Sequence, residues 1–132
     1  MKKVSSIPAF PLAVVLWSFI FFYAAPCHAD FKGISPVYTA DEVSNFKALA
    51  QATIDALDQN NSTVMVAKLT DLETAWDDNE KTLKPKDPGT WTVLDKTLDK
   101  AISSLRSSKV SLPKGKAALQ DLLKMFDQAT RS

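Results

Sequence analysis

The sequence predicts an all-α fold, an antiparallel up-down four-helix bundle that follows an N-terminal signal peptide. Three observations lead to this prediction. Apolar residues recur every three or four positions in four successive segments, which is the period of an amphipathic helix rather than of a strand. Only three Gly and four Pro follow residue 29, and they lie near the edges of those segments. The connections between the segments are short, which favours antiparallel neighbours.

The first helix is predicted to run from about Ala40 to Leu57. Thr39 and Glu42 are spaced as the two ends of a capping box, in which each side chain accepts a hydrogen bond from the backbone of the other. Six residues that follow, five of them apolar, share one face of a helix. They are Val43, Phe46, Ala50, Thr53, Ile54 and Leu57.

The second helix is predicted from a heptad-like stripe of apolar residues, the seam, which has one polar member. The helix ends at Lys84-Pro85-Lys86. The seam consists of Met65, Leu69, Leu72, Trp76, Asn79 and Leu83. Asp87 followed by Pro88 then indicates the start of a third helix, because a capping residue precedes proline at the first helical position. Its apolar positions are Trp91, Leu94, Leu98, Ala101, Ile102 and Leu105.

A loop from Ser107 to Leu112 is predicted to lead to Pro113, which opens the fourth helix. That helix carries Ala118, Leu119, Leu122, Leu123 and Phe126 on its apolar face. Phe31 and Tyr38 precede the bundle, and we expect them to cover one of its ends. Residues 30–132 therefore form the predicted bundle domain.

Residues 1–29 have the pattern of a secretory signal peptide. Two lysines precede an apolar run from Leu12 to Ala25, and Cys27-His28-Ala29 suits cleavage before Asp30. A retained membrane anchor is one alternative, but the run has 14 residues and a spanning helix needs about 20. Lipidation of Cys27 is the other, although Pro26 is a poor residue for the position before it. The predicted location is periplasmic or secreted.

The composition of the mature chain excludes several classes of chemistry. If residues 1–29 are removed, 103 of the 132 residues remain, with 14 basic and 15 acidic side chains and neither Cys nor His. Thiol or imidazole nucleophiles, a zinc site built from them and histidine-held haem are thus excluded. The near-neutral charge argues against binding nucleic acid. We expect no cofactor beyond a possible divalent cation, no enzymatic activity, and membrane contact only through the signal segment.

The densest polar feature of the sequence lies in the hairpin of helices two and three. Glu73 and Asp77 flank the seam of helix two, and Asp95 and Asp99 lie beside the apolar face of helix three. Each pair places like charges one turn apart, which costs about 0.2–0.5 kcal/mol. If the hairpin closes at Lys84–Gly89, Trp76 lies level with Leu98, Glu80 lies level with Leu94, and the two acidic rows face each other.

Three interpretations of these acids stay open. As a metal site, Glu73, Asp77, Asp95 and Asp99 would supply the oxygen ligands that Ca²⁺ or Mg²⁺ prefers. As an interaction surface, the same region together with Glu80 and Arg106 would dock an envelope protein. As a solvated face, the acids would be balanced by Lys81, Lys84, Lys96 and Arg106. A hydrolase that uses only carboxylates is the remaining enzymatic alternative.

In outline, this chain is similar to the small exported helical-bundle proteins of bacteria, of which the periplasmic b-type cytochromes are the best known. Those cytochromes hold haem through a Met and a His, and the mature chain has no His. The run Leu72-Glu73-Thr74-Ala75-Trp76-Asp77, followed by Trp91, Asp95, Asp99 and Leu105-Arg106, resembles uncharacterised exported bacterial proteins. No activity follows from this resemblance. We expect a non-enzymatic binding or accessory protein of the cell envelope because the mature residues supply no nucleophile–base pair and no conventional metal triad.

Overall fold

The computed structural model describes residues 30–107 and 110–132. Four helices follow one another along the chain: α1 (Ala40–Asp58), α2 (Ser62–Leu83), α3 (Pro88–Arg106) and α4 (Leu112–Ala129). Across the described ranges the only β pairing is a single parallel bridge between Tyr38 and Thr130. The all-α prediction is confirmed, whereas the predicted signal peptide lies outside the described residues.

The four helices pack in the order of an up-down bundle. Helix α1 lies between α2 and α4, and α3 packs against α4 and closes the ring beside α2. Among neighbouring helices, the backbones of α1 and α2 and those of α3 and α4 approach most closely, whereas those of α2 and α3 approach least closely. The bundle thus consists of two tight helical hairpins, and the α2–α3 seam is its widest.

The helix ends are set by local capping. The Thr39 hydroxyl accepts from the Glu42 N–H at 3.3 Å, and a Glu42 carboxylate oxygen accepts from the Thr39 N–H at 2.9 Å. Asp87 accepts from the Gly89 and Thr90 amides at 2.9 and 3.3 Å, and Pro88 opens α3. Each cap satisfies amides that have no partner inside the helix, and both predicted helix starts are confirmed.

The predicted apolar faces form the core, with a few differences. Leu57, Ile102 and Leu123 are only half-buried, and Asn79 is exposed rather than part of the seam. The Asn79 side-chain amide donates to the carbonyl of Ala75 at 2.8 Å, one turn earlier in α2. Because this bond and solvent satisfy the amide, burying the Asn79 side chain in the seam would not stabilise the bundle.

Four aromatic side chains, one from each helix, meet in the middle of the core. They are Phe46, Trp76, Trp91 and Phe126. The indoles of Trp76 and Trp91 stack with ring centroids 3.8 Å apart and planes 5° from parallel. Phe46 and Phe126 both contact the Trp76 ring, at centroid distances of 5.3 and 5.8 Å. This cluster fills the wide seam between α2 and α3.

The segment before α1 covers one end of the bundle, as predicted. Tyr38 is completely buried, and its N–H donates to the carbonyl of Ala129 at 3.0 Å. The Gln128 side chain accepts from the Phe31 N–H and donates to the Phe31 carbonyl, at 2.8 and 3.0 Å. These bonds join the segment before α1 to the end of α4. The buried Tyr38 side chain is part of the core.

Candidate binding face between α2 and α3

The register of the α2–α3 hairpin differs from the prediction. Trp76 stacks on Trp91, and its indole N–H donates to an Asp95 carboxylate oxygen at 3.0 Å. Trp76 therefore lies level with Asp95 rather than with Leu98, a displacement of about one helical turn. The stacking of two large indoles decides this alignment, because they fill the seam only when they lie side by side.

Two of the predicted acids already have partners within the bundle. Asp95 is half-buried and accepts from Trp76, which satisfies an indole N–H in the core. Glu73 forms an ion pair with Arg106 of α3, and Arg106 also donates to the hydroxyl of Thr70 at 2.6 Å. Arg106, predicted as an interaction residue, thus joins α3 to α2.

Asp77 stays exposed and lies at the centre of the negative charge. Partial burial raises its pKa above the ordinary value, and the nearby carboxylates of Glu73, Asp95, Glu80 and Asp78 raise it further. The like charges disfavour the ionised form because each repels a second negative charge. A positive group beside Asp77 would relieve this repulsion.

The remaining members of the predicted set lie toward solvent. Asp99 is exposed on α3. Glu80 is exposed on α2 and accepts from Lys84, one turn later, at 2.7 Å. Among residues 30–107 and 110–132, no group of three or more Asp, Glu, His or Cys side chains is arranged to hold a metal ion. The structure thus brings Asp77 near Glu73 and Asp95 without forming a ligand cage.

The sequence reasoning missed the bond between Trp76 and Asp95. The sequence pattern places Trp76 in the seam of helix two and assigns no acceptor to its indole N–H. A buried indole N–H usually has an acceptor, however, and an acid on the facing helix is the signal that could have indicated it. The bond gives Asp95 a structural role that its place in an acidic row does not reveal.

Three cavities lie elsewhere on the bundle. An open groove of about 510 Å³ runs past Lys47, Asp127 and Arg131, and one of about 370 Å³ lies beside Lys86 and Arg131. A smaller cavity of about 90 Å³ lies at the other end of the bundle. The linings of these three cavities contain none of the predicted metal ligands.

Comparisons with protein-family models, with curated proteins and with solved structures found no match to this chain. None of the helices within the described ranges has the length and apolar character that crossing a bilayer requires. The fold and the chemistry of its surface are consequently the basis for assigning a function.

Proposed function

We propose that this chain is an exported, non-enzymatic binding protein of the bacterial cell envelope, and that it docks a partner bearing cationic groups on an acidic face of α2 and α3. The acidic face consists of Asp77, Asp78, Glu80 and Asp99, all of which are exposed. The export part of the proposal is based on the sequence pattern of residues 1–29.

The observation that carries the proposal is the crowding of charge around Asp77. Partial burial raises the pKa of Asp77, and the four neighbouring carboxylates raise it further. A lysine or arginine of a partner would replace that repulsion by attraction, and such complementarity both steers encounter and favours the correct partner. Glu80 pairs with Lys84 and Glu73 pairs with Arg106. Neither Asp77 nor Asp78 forms an ion pair with a described residue.

The arrangement of the neighbouring residues supports binding over catalysis. A hydrolase that uses only carboxylates needs two acids on opposite sides of a substrate cleft. Here the space between α2 and α3 is filled by the Trp76–Trp91 stack. Asp95 is bonded to Trp76 and Glu73 to Arg106, so two candidate acids hold the helices together.

The proposal is tested by capturing partners from an envelope extract with the tagged mature protein. The double change Asp77→Asn plus Asp78→Asn removes two charges from the acidic face. Asp41→Asn plus Asp55→Asn makes the same charge change on exposed positions of α1 and serves as the matched control. We expect the unchanged protein and the control to retain the same partner, the α2 variant to lose it, and added salt to release it.

Retention of the same partner by the α2 variant would refute the acidic face as the docking surface. Two measurements on the unchanged protein and on Asp77→Asn check the alternatives: native mass spectrometry for a bound divalent ion and a turnover assay for a hydrolase. A bound divalent ion that disappears with Asp77→Asn would replace the docking proposal by a metal site. Turnover of a substrate, abolished by the same change, would replace it by the carboxylate-only hydrolase.

A further inference from the structure

Two overlapping acceptor motifs for N-linked glycosylation lie in the turn between α1 and α2. Such a motif consists of asparagine, any residue except proline, and then serine or threonine. Asn60-Asn61-Ser62 forms the first motif, and Asn61-Ser62-Thr63 forms the second. The two remaining asparagines of the sequence begin no such motif. Because a three-residue pattern also arises by chance, its surroundings in the fold decide what it can do.

The turn that carries both motifs is open to solvent. Every residue from 58 to 64 is exposed. A glycan is bulky and hydrated, so its attachment point has to lie on the surface. The backbone of Asn60 is left-handed, with a φ of 54°, and asparagine tolerates this conformation better than most residues do. The Asn61 N–H donates to the carbonyl of Ala56 at 2.9 Å, which holds the turn in this shape.

The structure distinguishes the two asparagines. Asn61 caps α2, because its side-chain oxygen accepts from the N–H of Val64 at 3.1 Å. The side chains of Asn60 and Ser62 form no hydrogen bond with a described residue. The left-handed backbone accounts for glycine or asparagine at position 60, but it makes no use of the amide nitrogen. The Asn60 amide is therefore free to turn toward an enzyme, whereas the cap fixes the orientation of the Asn61 amide.

An acid lies beside the first motif. Asp58, two residues before Asn60, pairs with Lys116 of α4, and its side chain is 55% exposed. Exposed ion pairs contribute little to stability, so Asp58 stays available to a basic group of an enzyme that binds this turn. Such charge complementarity helps to position a partner correctly. The corresponding residue before Asn61 is the uncharged Gln59, which favours Asn60 as the acceptor.

We propose that Asn60 is the acceptor for an N-linked glycan. The donor is an oligosaccharide joined to a polyprenyl diphosphate, and an oligosaccharyltransferase catalyses the transfer. A bond forms between the Asn60 Nδ2 and C1 of the first sugar, and the bond from C1 to the phosphate oxygen breaks. Polyprenyl diphosphate leaves, and the amide nitrogen loses one proton. The transfer follows export, so this inference rests on the export part of the proposed function.

The test measures the intact mass of the full chain after its export from bacterial cells that contain an oligosaccharyltransferase and its lipid-linked oligosaccharide. We expect the mass of residues 30–132 plus that of one oligosaccharide. Fragmentation by electron transfer should place the oligosaccharide on Asn60. Cells that lack the transferase should export the same chain without the added mass.

Ser62→Ala and Thr63→Ala form a matched pair, because each removes one exposed hydroxyl from the first turn of α2. Ser62→Ala destroys the first motif and keeps the second, whereas Thr63→Ala does the reverse. We expect Ser62→Ala to lose the added mass and Thr63→Ala to retain it. Asn61→Ser should retain it as well, since it preserves the first motif and supplies another capping side chain.

Two results would overturn the assignment of Asn60 alone. One is an exported chain without the added mass, and the other is a glycan that Thr63→Ala removes and Ser62→Ala does not. A chain that retains residues 1–29 and gains no oligosaccharide would contradict export and, with it, this inference. The intact mass therefore separates the failure of export from the failure of glycosylation. Partner capture by the acidic face is measured independently.

Discussion

Replacing Gly115 by alanine should destabilise the bundle, although alanine is the better helix former. Gly115 is buried in the first turns of α4, where α4 packs closely on α3. A Cβ atom at this position would overlap Cγ and Cδ2 of Leu105 and would lie 3.1 Å from its Cδ1. Leu105 is 3% exposed, so its side chain cannot turn out into solvent without leaving the core.

The expected magnitude follows from two opposing terms. Overpacking a well-filled core costs about 1–3 kcal/mol. The gain in helix propensity from glycine to alanine is about 1 kcal/mol. We therefore expect a net loss of up to about 2 kcal/mol for Gly115→Ala. At about 4–8 °C for each kcal/mol in a domain of this size, the Tm should fall by up to roughly 16 °C.

Urea and thermal unfolding followed by far-UV circular dichroism measure this loss. Gly89→Ala is the matched control, since Gly89 is exposed in the first turn of α3 and an added Cβ there meets only a carboxylate oxygen of Asp87 at 3.2 Å. Its effect should stay within about 0.5 kcal/mol.

A double-mutant cycle with Leu105→Ala isolates the contact itself. Leu105→Ala alone should cost about 2–5 kcal/mol, because it leaves a cavity in the core. In that background there is room for the new methyl group, so Gly115→Ala should cost nothing or stabilise the protein. A Gly115→Ala variant that is more stable than the unchanged protein would refute the reasoning, as would an equal cost in both backgrounds.

Four further predictions concern the core, the acids and export. Trp76→Phe should destabilise the bundle by about 1–3 kcal/mol in urea unfolding, because it leaves the Asp95 carboxylate without the indole N–H as its donor. Asp95→Asn should cost less, because the amide oxygen of asparagine can still accept from that N–H. Tyr38→Phe should leave stability unchanged or raise it by up to about 1 kcal/mol, since the buried hydroxyl has no hydrogen-bond partner among the described residues. Burial and two nearby carboxylates raise the pKa of Tyr38 to about 12. The unfolded chain therefore loses this proton first, and the free energy of unfolding should fall as the pH rises from about 10 to 12. The pH-dependent unfolding of Tyr38→Phe should lack that fall. We expect EDTA and Ca²⁺ to leave the Tm unchanged apart from ionic screening, whereas a Ca²⁺-dependent rise abolished by Asp95→Asn plus Asp99→Asn would establish a divalent-cation site. Intact mass of the exported protein should correspond to a chain that begins at Asp30, and retention of the preceding residues would contradict the cleavage prediction.

The local structure could be predicted because its causes lie within a few residues of each other. Thr39 and Glu42 cap α1 from three positions apart, and Asp87 with Pro88 starts α3 from adjacent positions. The 3.6-residue period likewise identified nearly all core positions. Asn79 is exposed instead, because a hydrogen bond to the preceding turn of its own helix satisfies its amide at the surface. Leu57, Ile102 and Leu123 are only half-buried.

The acidic face could be predicted from the sequence only in part. The sequence alone places Asp77 and Asp78 next to each other on the same helix as Glu80, and it concentrates acids in the α2–α3 hairpin. Which acids have partners is a property of the packed bundle. Asp95 accepts from Trp76, so its role depends on the side chain that it faces.

The sequence by itself therefore determined the helices, their caps and their apolar faces, and the prediction of export also comes from it alone. The tertiary structure decided the alignment of α2 with α3, the ion pair between Glu73 and Arg106, and which of two adjacent asparagines caps α2. Sliding one helix past its neighbour by a turn leaves the periodicity of each helix unchanged, so no sequence pattern distinguishes the two alignments. The shapes of the side chains that meet in the seam distinguish them, and here the stacked indoles do so.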